Sequence, residues 1–519
     1  MISSPLNDLC QRANTDTDKI MLVDGMQRIT YHDAYHHVLA IGSFIRSIGV
    51  NKGDRVGVLM GKSYLQVLSQ MGIMAAEAVM VPISDLLKAD QVQYILEDCD
   101  IRMMIVDENK MNSLGSYASK IKILKTEVND SDLDLRQVLD MGLIEKKPNV
   151  IGQDNAAIIY TSGSTGMPKG IVLSHRNLWD GARIVSDYLG LQSNDRLAQV
   201  LSLNFDYGLN QVFSTIHVGA QIHLTTFHFP KDLFIFIETH KITTMALMPV
   251  FLNRLFDEHF FEVSFVSSIS TLRRITTSGG RISKEIVRTI GELFPKTDLY
   301  LMYGLTEAFR STYLPPNVAQ KKFNSIGMSI PDVQIMVLDK DGKECDDGVQ
   351  GELVHRGGVI SKGYWNSLEK TKGRFKSWVD ASGNVETVVY SGDIVHRDAD
   401  GYLYFIGRYD NMIKTSGHRV SPEEIERAVE SLKVIEHAIV FGHEHRLLGE
   451  EIILVCINKK DCKLLSSIEV KQFLQKKLAS YMIPHHILFH NAFEVTAGNQ
   501  GKVDRTAIKE LALMELFPV

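Results

Sequence analysis

Ten residues, Thr161-Ser-Gly-Ser-Thr-Gly-Met-Pro-Lys-Gly170, hold the densest set of groups in this chain that could do chemistry. They lie between two apolar runs, Ala156-Ala-Ile-Ile-Tyr160 and Ile171-Val-Leu173, a pattern that reads as strand, loop, strand. The loop offers Gly163 and Gly166 with the hydroxyls of Thr161, Ser162, Ser164 and Thr165. Backbone N–H groups and hydroxyls in such a loop converge on phosphate oxygens, and Lys169 adds a point charge. The spacing is not that of a P-loop, because Lys169 follows Gly166 by three and is followed by Gly170 rather than Ser or Thr. A Gly/Ser turn without a ligand is the structural alternative.

Four more segments share this character: Tyr303-Gly-Leu-Thr-Glu307, Tyr390-Ser-Gly-Asp393, Gly407-Arg-Tyr-Asp-Asn-Met-Ile-Lys-Thr-Ser-Gly417 and Gly501-Lys-Val-Asp-Arg505. Together with the loop, in this order and at this spacing, they resemble the motifs of the AMP-forming adenylating superfamily. That superfamily holds acyl-CoA synthetases, the adenylation domains of peptide synthetases, and luciferases. The likeness spans nearly the whole chain. It implies a carboxylate that attacks the α-phosphorus of ATP with loss of pyrophosphate, then passage of the acyl group from AMP to a thiol. Both reactants of the first step are anionic, so the site must supply positive charge and hold them in line.

The resemblance assigns roles residue by residue. Glu307 would hold Mg²⁺, since a carboxylate beside phosphates is tolerable only with a hard cation between them. Tyr303 resembles the aromatic that stacks on adenine, with Gly304 and Thr306 in the same motif, and Gly279-Gly280-Arg281 falls where the family lines the base. Asp393 can accept hydrogen bonds from ribose hydroxyls, and Arg408 would contact the same sugar or its phosphate. Lys414 belongs to the nucleotide set through its motif. Lys502 would reach between the substrate carboxylate and the α-phosphate, although Ala497-Gly-Asn-Gln-Gly501 departs from the family's usual Pro-x-Asn-Gly lead-in. Asp410 matches the hinge on which a lid turns, after which Gly417 would let a pantetheine arm pass close to backbone.

The acid pocket is expected from Asn204-Phe-Asp-Tyr-Gly-Leu-Asn210, the stretch near Ala246 and Pro249, and the residues after Glu307. Phe205-Asp206 resembles the Phe-Asp of peptide-synthetase adenylation domains, whose aspartate pairs with the substrate's α-ammonium; Tyr207 lies beside it. A lone buried carboxylate is costly, so Asp206 meets a cation or lies at a wet surface. Arg310 is open to two readings: an ion-pair partner for Asp206, or a ligand for a second carboxylate on the substrate.

These groups need a scaffold that the chain is long enough to build. At 519 residues more than one domain is expected. Forty-five per cent apolar and 23 per cent charged residues describe a globular protein, and a net charge of −6 gives no footprint for nucleic acid. The basic pairs Lys321-Lys322 and Lys476-Lys477 read as solvated surface. Five scattered cysteines without a CxxC pair point to reduced thiols and a cytosolic setting. The N-terminus lacks the pattern of a signal peptide, and the most apolar stretch, Met71 to Ile83, carries Glu77 and reads as a buried helix leading into a strand.

Strands at Arg55–Met60, Met80–Ile83 and Met103–Val106 alternate with helices, one capped by Thr30 and one spanning Tyr64–Ala76. The expected fold is α/β: a large N-terminal domain (1–409) of layered, mostly parallel sheets with helices, plus a small mobile α+β lid (410–519). In the lid, Ser421-Pro-Glu-Glu424 reads as a helix start, with Ile425, Ala428, Val429 and Leu432 as its apolar stripe. Too few residues follow position 511 for a carrier module, so CoA or the phosphopantetheine of a separate carrier protein is the expected acceptor. The reading favoured by the sequence is an acyl-CoA-synthetase-like ligase using ATP and Mg²⁺. A stand-alone amino-acid adenylating enzyme that loads a carrier protein is the alternative. A catalytically silent nucleotide-binding or carrier-docking protein is the alternative of another class, opposed by the joint presence of Lys169, Glu307, Asp393, Arg408 and Lys502.

Overall fold

The computed structural model describes residues 3–126, 134–142, 147–161, 167–256, 269–380, 382–408, 412–432, 434–458, 465–490 and 505–518. The chain divides into two compact units. The larger comprises Met1–Asp85, Gln93–Tyr160 and Lys169–Tyr409; the smaller comprises Asp410–Val519 with the short stretches Leu86–Val92 and Thr161–Pro168.

The larger unit carries two sheets. One has six strands in the order Lys122–Lys125, Ile101–Val106, Arg55–Leu59, Val79–Pro82, Asn155–Thr161 and Lys169–Ser174. The first five pair in parallel. The other has 14 strands. Its parallel half runs Ile20–Asp24, Gln221–Leu224, Arg196–Gln199, Thr244–Leu247, Arg274–Thr277 and Asp298–Leu305. Beyond Asp298–Leu305 the sheet becomes antiparallel, starting with Phe309–Leu314. The reason is local: only Thr306, Glu307 and Ala308 join those two strands, and so short a link forces reversal.

A core threads both sheets. Ile41 and Ile45 from helix Tyr31–Ser47 and Leu68 and Met71 from helix Tyr64–Ala75 belong to one cluster with Val56, Met80 and Ile105 of the smaller sheet. Leu22, Leu197 and Ile222 of the larger sheet complete it. Each such side chain, fully withdrawn from water, contributes about 1.5–3 kcal/mol before entropy. Thr30 caps its helix as the sequence indicates, accepting from the Asp33 amide at 3.0 Å. Tyr31 is wholly buried, and its hydroxyl reaches the carbonyls of Thr215 (3.1 Å) and Ala220 (2.7 Å). That contact fastens the far end of helix Asp206–Val218, whose first residue is a candidate site group.

The smaller unit has a five-stranded sheet around Gly449–Asn458. Residues 438–441 and 452–457 are apolar at every position because both faces are covered. Val440, Ile452 and Leu454 face a core with Ile425, Val429, Val470 and Leu474; Ile439, Phe441, Ile453 and Val455 face Ile508 and Ala512. The second cover is helix Arg505–Leu516, which the sequence reading did not anticipate although the unbroken apolar strands required it. Ser421 does occupy the N-cap of helix Pro422–Glu430, but its hydroxyl donates to Glu423 (2.7 Å) instead of accepting from the helix. In the larger unit Lys322 corrects its reading as a solvated cation. It lies 2.6 Å from Asp398 and 2.9 Å from Asp400, over the Tyr402 ring. No described helix is long and apolar enough to cross a membrane.

Two histidines of the larger unit give the fold a pH dependence. Burial pushes His175 and His355 down to about 4. Each is neutral when folded and titrates near 6.5 when unfolded, so its contribution is complete above pH 6.5. It is lost as pH falls from 6.5 towards 4, by on the order of 3 kcal/mol per group. Urea unfolding across that range should show falling stability, and His355→Gln should reduce the slope by about one proton. An unchanged slope would remove His355 from this account.

Candidate active site

The candidate groups of the larger unit cluster where parallel strands end. Thr277 closes Arg274–Thr277, Tyr303 and Glu307 end and follow Asp298–Leu305, and Asn204–Tyr207 follow Arg196–Gln199. In open α/β sheets the carboxyl ends of parallel strands form the crevice that takes ligands.

The hairpin at Glu307 sets the geometry. Gly304 opposes Arg310 and Leu305 opposes Phe309, with an irregularity between Tyr303 and Gly304. A Cβ on Gly304 would stand 2.2 Å from the Phe309 carbonyl oxygen and 2.8 Å from the Arg310 Cα, so only glycine permits the approach. Phe309 itself adopts φ +54, a conformation that costs of order 1–3 kcal/mol in a residue other than glycine.

At one end of this hairpin, the Tyr303 hydroxyl donates to Asp393 Oδ2 at 2.5 Å, and the Arg408 guanidinium stands 3.0 Å from Asp393 Oδ1. The side chains of Arg408 and Asp393 are 8 % and 3 % exposed. The Tyr303 ring lies nearly parallel to that of His355, 6.4 Å away, rather than standing free for a base to stack on both faces. Asp393 Oδ1 feels the Arg408 charge but accepts no directed hydrogen bond, so the carboxylate keeps buried acceptor capacity. That is what a hydroxyl-bearing ligand such as a ribose would use.

At the turn, Glu307 Oε1 accepts from the Tyr364 hydroxyl at 2.7 Å. Residues 362–365 run beside strand Lys169–Ser174, with Val172 N–H donating to the Gly363 carbonyl (3.0 Å) and Trp365 N–H to that of Gly170 (2.7 Å). Lys169 Nζ consequently lies 5.4 Å from the Tyr364 ring centroid. Tyr364 thus links Lys169 to Glu307, two groups 138 positions apart in the sequence. The sequence reading overlooked Tyr364. The signal was an aromatic directly after Gly363, in a glycine-rich stretch that opens on Gly357-Gly358. Glu307 is only 9 % exposed, and among the described residues no cation pairs with it. A sheltered carboxylate in that condition suits a divalent cation.

On the third side, Asp206 begins helix Asp206–Val218, where the helix dipole favours its charge, and its Oδ1 accepts from the Tyr207 amide at 2.8 Å. Burial raises the Asp206 carboxyl above the usual range; Arg310, the Tyr207 amide and Thr306 oppose that rise. Arg310 senses Asp206, yet among the described residues the two form no salt bridge. Its guanidinium lies over the Tyr207 ring at 3.9 Å, and the Tyr207 hydroxyl is hydrogen-bonded to Thr276 at 2.7 Å. The pairing that would have made Asp206 and Arg310 merely structural is absent.

The remaining groups are dispersed. Gly279, Gly280 and Arg281 are exposed, with Gly279 at φ +93. Lys414 and Gly417 belong to the smaller unit. There Ser416 and Gly417 (φ +50 and +79) form the two-residue turn between Ile413–Thr415 and His418–Val420, as a primed hairpin turn requires. Thr161 ends strand Asn155–Thr161. Ser162, Gly163, Ser164, Thr165, Gly166, Asp410 and Lys502 lie outside the described residues.

The chain belongs to the AMP-binding enzyme family: residues 9–365 match that family, and residues 424–499 match the AMP-binding enzyme C-terminal domain. Surfactin synthase subunit 2 of Bacillus subtilis is 28 % identical over 510 residues, covering 96 % of this chain and 14 % of that protein. Tyrocidine synthase 1 of Brevibacillus parabrevis is 25 % identical over 509 residues, covering 96 % of this chain and 44 % of that protein. The chain therefore spans less than half the length of these relatives. Among solved structures, o-succinylbenzoate CoA synthetase from Bacillus subtilis superposes with TM-score 0.85 at 21 % identity, covering 97 % of this chain and 98 % of that one. An artificially fused adenylation–PCP di-domain from Klebsiella oxytoca superposes with TM-score 0.81 at 20 % identity, covering 94 % of each. These likenesses show the fold.

The Tyr303–Asp393–Arg408 group makes a stability prediction independent of activity. Asp393→Asn removes a buried carboxylate charge that lies 3.0 Å from the Arg408 guanidinium and should cost about 3–5 kcal/mol in denaturant unfolding. Tyr303→Phe removes one hydrogen bond to a charged group and should cost about 1–3 kcal/mol. Equal and negligible losses would mean that the cluster is open to solvent.

Proposed function

We propose that the protein uses Mg²⁺-ATP to activate the carboxylate of an amino acid and then passes the aminoacyl group to a thiol. In the first step a bond forms between a carboxylate oxygen and the α-phosphorus while the bond to pyrophosphate breaks. In the second, the thiol sulfur takes the acyl carbon and AMP leaves.

Asp206 carries the amino-acid part of this reading. It is a carboxylate raised by burial, set on a helix start and without a salt bridge to Arg310, so its place is suited to an ammonium group supplied by the substrate. The similarity to surfactin and tyrocidine synthases over nearly the whole chain supports it. The fold's likeness to an adenylation–PCP di-domain supports the phosphopantetheine of a carrier protein as acceptor. A second reading, a carboxylic acid without an amine passed to CoA, is favoured by the likeness to o-succinylbenzoate CoA synthetase.

The other residues divide the remaining work. Glu307 would hold Mg²⁺, which when bound offsets phosphate charge, and Tyr364 fixes the orientation of that carboxylate. Lys169 adds positive charge on the same side. Asp393 and Arg408 would hold the ribose, with Tyr303 and the loop Gly279-Gly280-Arg281 after Thr277 against the base. Lys502 would stand between the substrate carboxylate and the α-phosphate. A cation about 4 Å from an anion at an effective dielectric of 20 is worth about 4 kcal/mol, roughly a thousandfold in rate.

Pyrophosphate release screened against amino acids and against fatty and aryl acids tests the proposal. An amino-acid-dependent signal that Asp206→Ala abolishes supports it; a signal from amine-free acids that survives that change overturns the role of Asp206. Lys502→Ala should lower the signal about a thousandfold with ATP binding retained, and undiminished turnover would remove Lys502 from adenylation. Tyr364→Phe should raise the Mg²⁺ concentration needed for half-maximal rate about ten- to a hundredfold.

A further inference from the structure

The larger unit contains two buried arginines that are treated in opposite ways. Arg274 lies against Asp195, with Nη1 at 3.0 and 3.2 Å from the carboxylate oxygens, Nε donating to the Leu189 carbonyl (2.5 Å) and Nη2 to that of Gly190 (2.6 Å). Each nitrogen of that guanidinium has a partner, as a buried cation demands. Arg310 is 4 % exposed and has no such provision. Its Nε and Nη1 have no hydrogen-bond partner, and it forms no salt bridge among the described residues. Its position is nevertheless closely determined. The strand crossing at Gly304 fixes its Cα, and the rings of Tyr207 (3.9 Å) and Phe309 (5.5 Å) flank its guanidinium. A charge held rigidly with unmet donors is a site prepared for an anion, and the planar fork matches a carboxylate in two-point contact.

A second unmet donor lies on the helix whose Tyr207 ring Arg310 covers. Asn210, 1 % exposed, has an Nδ2 without a partner. It stands four residues after Asp206 and three after Tyr207 on helix Asp206–Val218, so the three share a helix face. Helix Asp206–Val218 and strand Phe309–Leu314 therefore carry a carboxylate and unmatched donors from two side chains.

We propose that the substrate carries a second anionic group, a carboxylate bound by Arg310, and that the activated acid is an amino-dicarboxylic acid. This rests on the reading of Asp206 as the ammonium-binding group and adds Arg310 as the specificity-determining residue. Asp206 takes the ammonium, Arg310 the distal carboxylate, and the third charged group, the reacting carboxylate, is left for ATP. Before substrate arrives, the guanidinium contributes no ion pair of its own to the fold.

The test compares aspartate and glutamate with asparagine and glutamine, and with dicarboxylic acids lacking an amine, in pyrophosphate release by the full chain. Wild type should prefer a dicarboxylic amino acid over its amide by about a hundredfold or more in kcat/KM. Arg310→Gln should abolish that preference, chiefly through KM, while its melting temperature without substrate stays level or rises. A lower melting temperature with the preference intact would make Arg310 structural and overturn the proposal. Preference for a neutral amino acid, undisturbed in Arg310→Gln, overturns this inference and leaves the amino-acid reading standing. Activation of amine-free dicarboxylic acids, lost in Arg310→Gln, overturns the amino-acid reading and with it the amino part of this proposal, leaving Arg310 as the carboxylate-binding residue. Should no acid give turnover, glutamate and succinate must raise the melting temperature of wild type but not of Arg310→Gln; equal response or none in both overturns the proposal.

Discussion

The backbone crossing at Gly304 is the constraint on which the rest of the site depends. Two strands approach so closely there that a single methyl group would collide with main-chain atoms of Phe309 and Arg310. The hairpin is where the large sheet changes from parallel to antiparallel pairing, and a link of three residues makes the change abrupt. Tyr303, Glu307 and Arg310 project from the crossing towards different partners: Asp393, Tyr364 and the Tyr207 ring. In the function proposed above, one short piece of backbone would serve three separate requirements, for a sugar, for a metal and for an acid. The unusual φ of Phe309 is a local cost of that arrangement, retained because the sheet on both sides defines the path.

Charge is distributed unevenly through the larger unit, and the unevenness separates scaffold from site. Arg274 is fully matched, by Asp195 and by the Leu189 and Gly190 carbonyls, and Lys322 is clasped by Asp398 and Asp400. Glu307 and Arg310 are withdrawn from water without such matching, and the half-buried Asp206 has no salt bridge among the described residues. Buried charge that a fold has no need to keep is expensive, so its persistence in one crevice is informative where a count of ion pairs is not. His355 belongs to neither class: it is neutral, packed beside Tyr303, and its nitrogens have no partner, for which the structure offers no functional reason.

Much of this was readable in the sequence, for reasons that differ by element. Thr30 as an N-cap, the strand at Arg55 and the helix from Tyr64 are decided by neighbours a few positions away, and local pattern reports them directly. The motif residues Glu307, Asp393 and Arg408 were legible because their surroundings in the chain are unusual. Tyr364 was not, since its importance comes from a strand pairing with residues 170–172 that no local window contains. The Arg505–Leu516 helix escaped for a related reason: its evidence lay in strands some fifty to seventy residues earlier, which are apolar on both faces. The missing Asp206–Arg310 pair depends on side-chain placement across a sheet, which residue identity alone leaves open.

The crossing at Gly304 also bears on how such a site can diversify. In the proposed reading position 310 faces the acid, whereas positions 303 and 307 reach Asp393 and Tyr364, and the shared main chain holds all three in place. A new side chain at 310 alters the choice of acid without demanding compensating changes at the other two. On that reading the groups meant for the nucleotide and the group meant for the acid are separable, although only a few residues lie between them. New specificities would arise by single steps rather than by rebuilding the pocket.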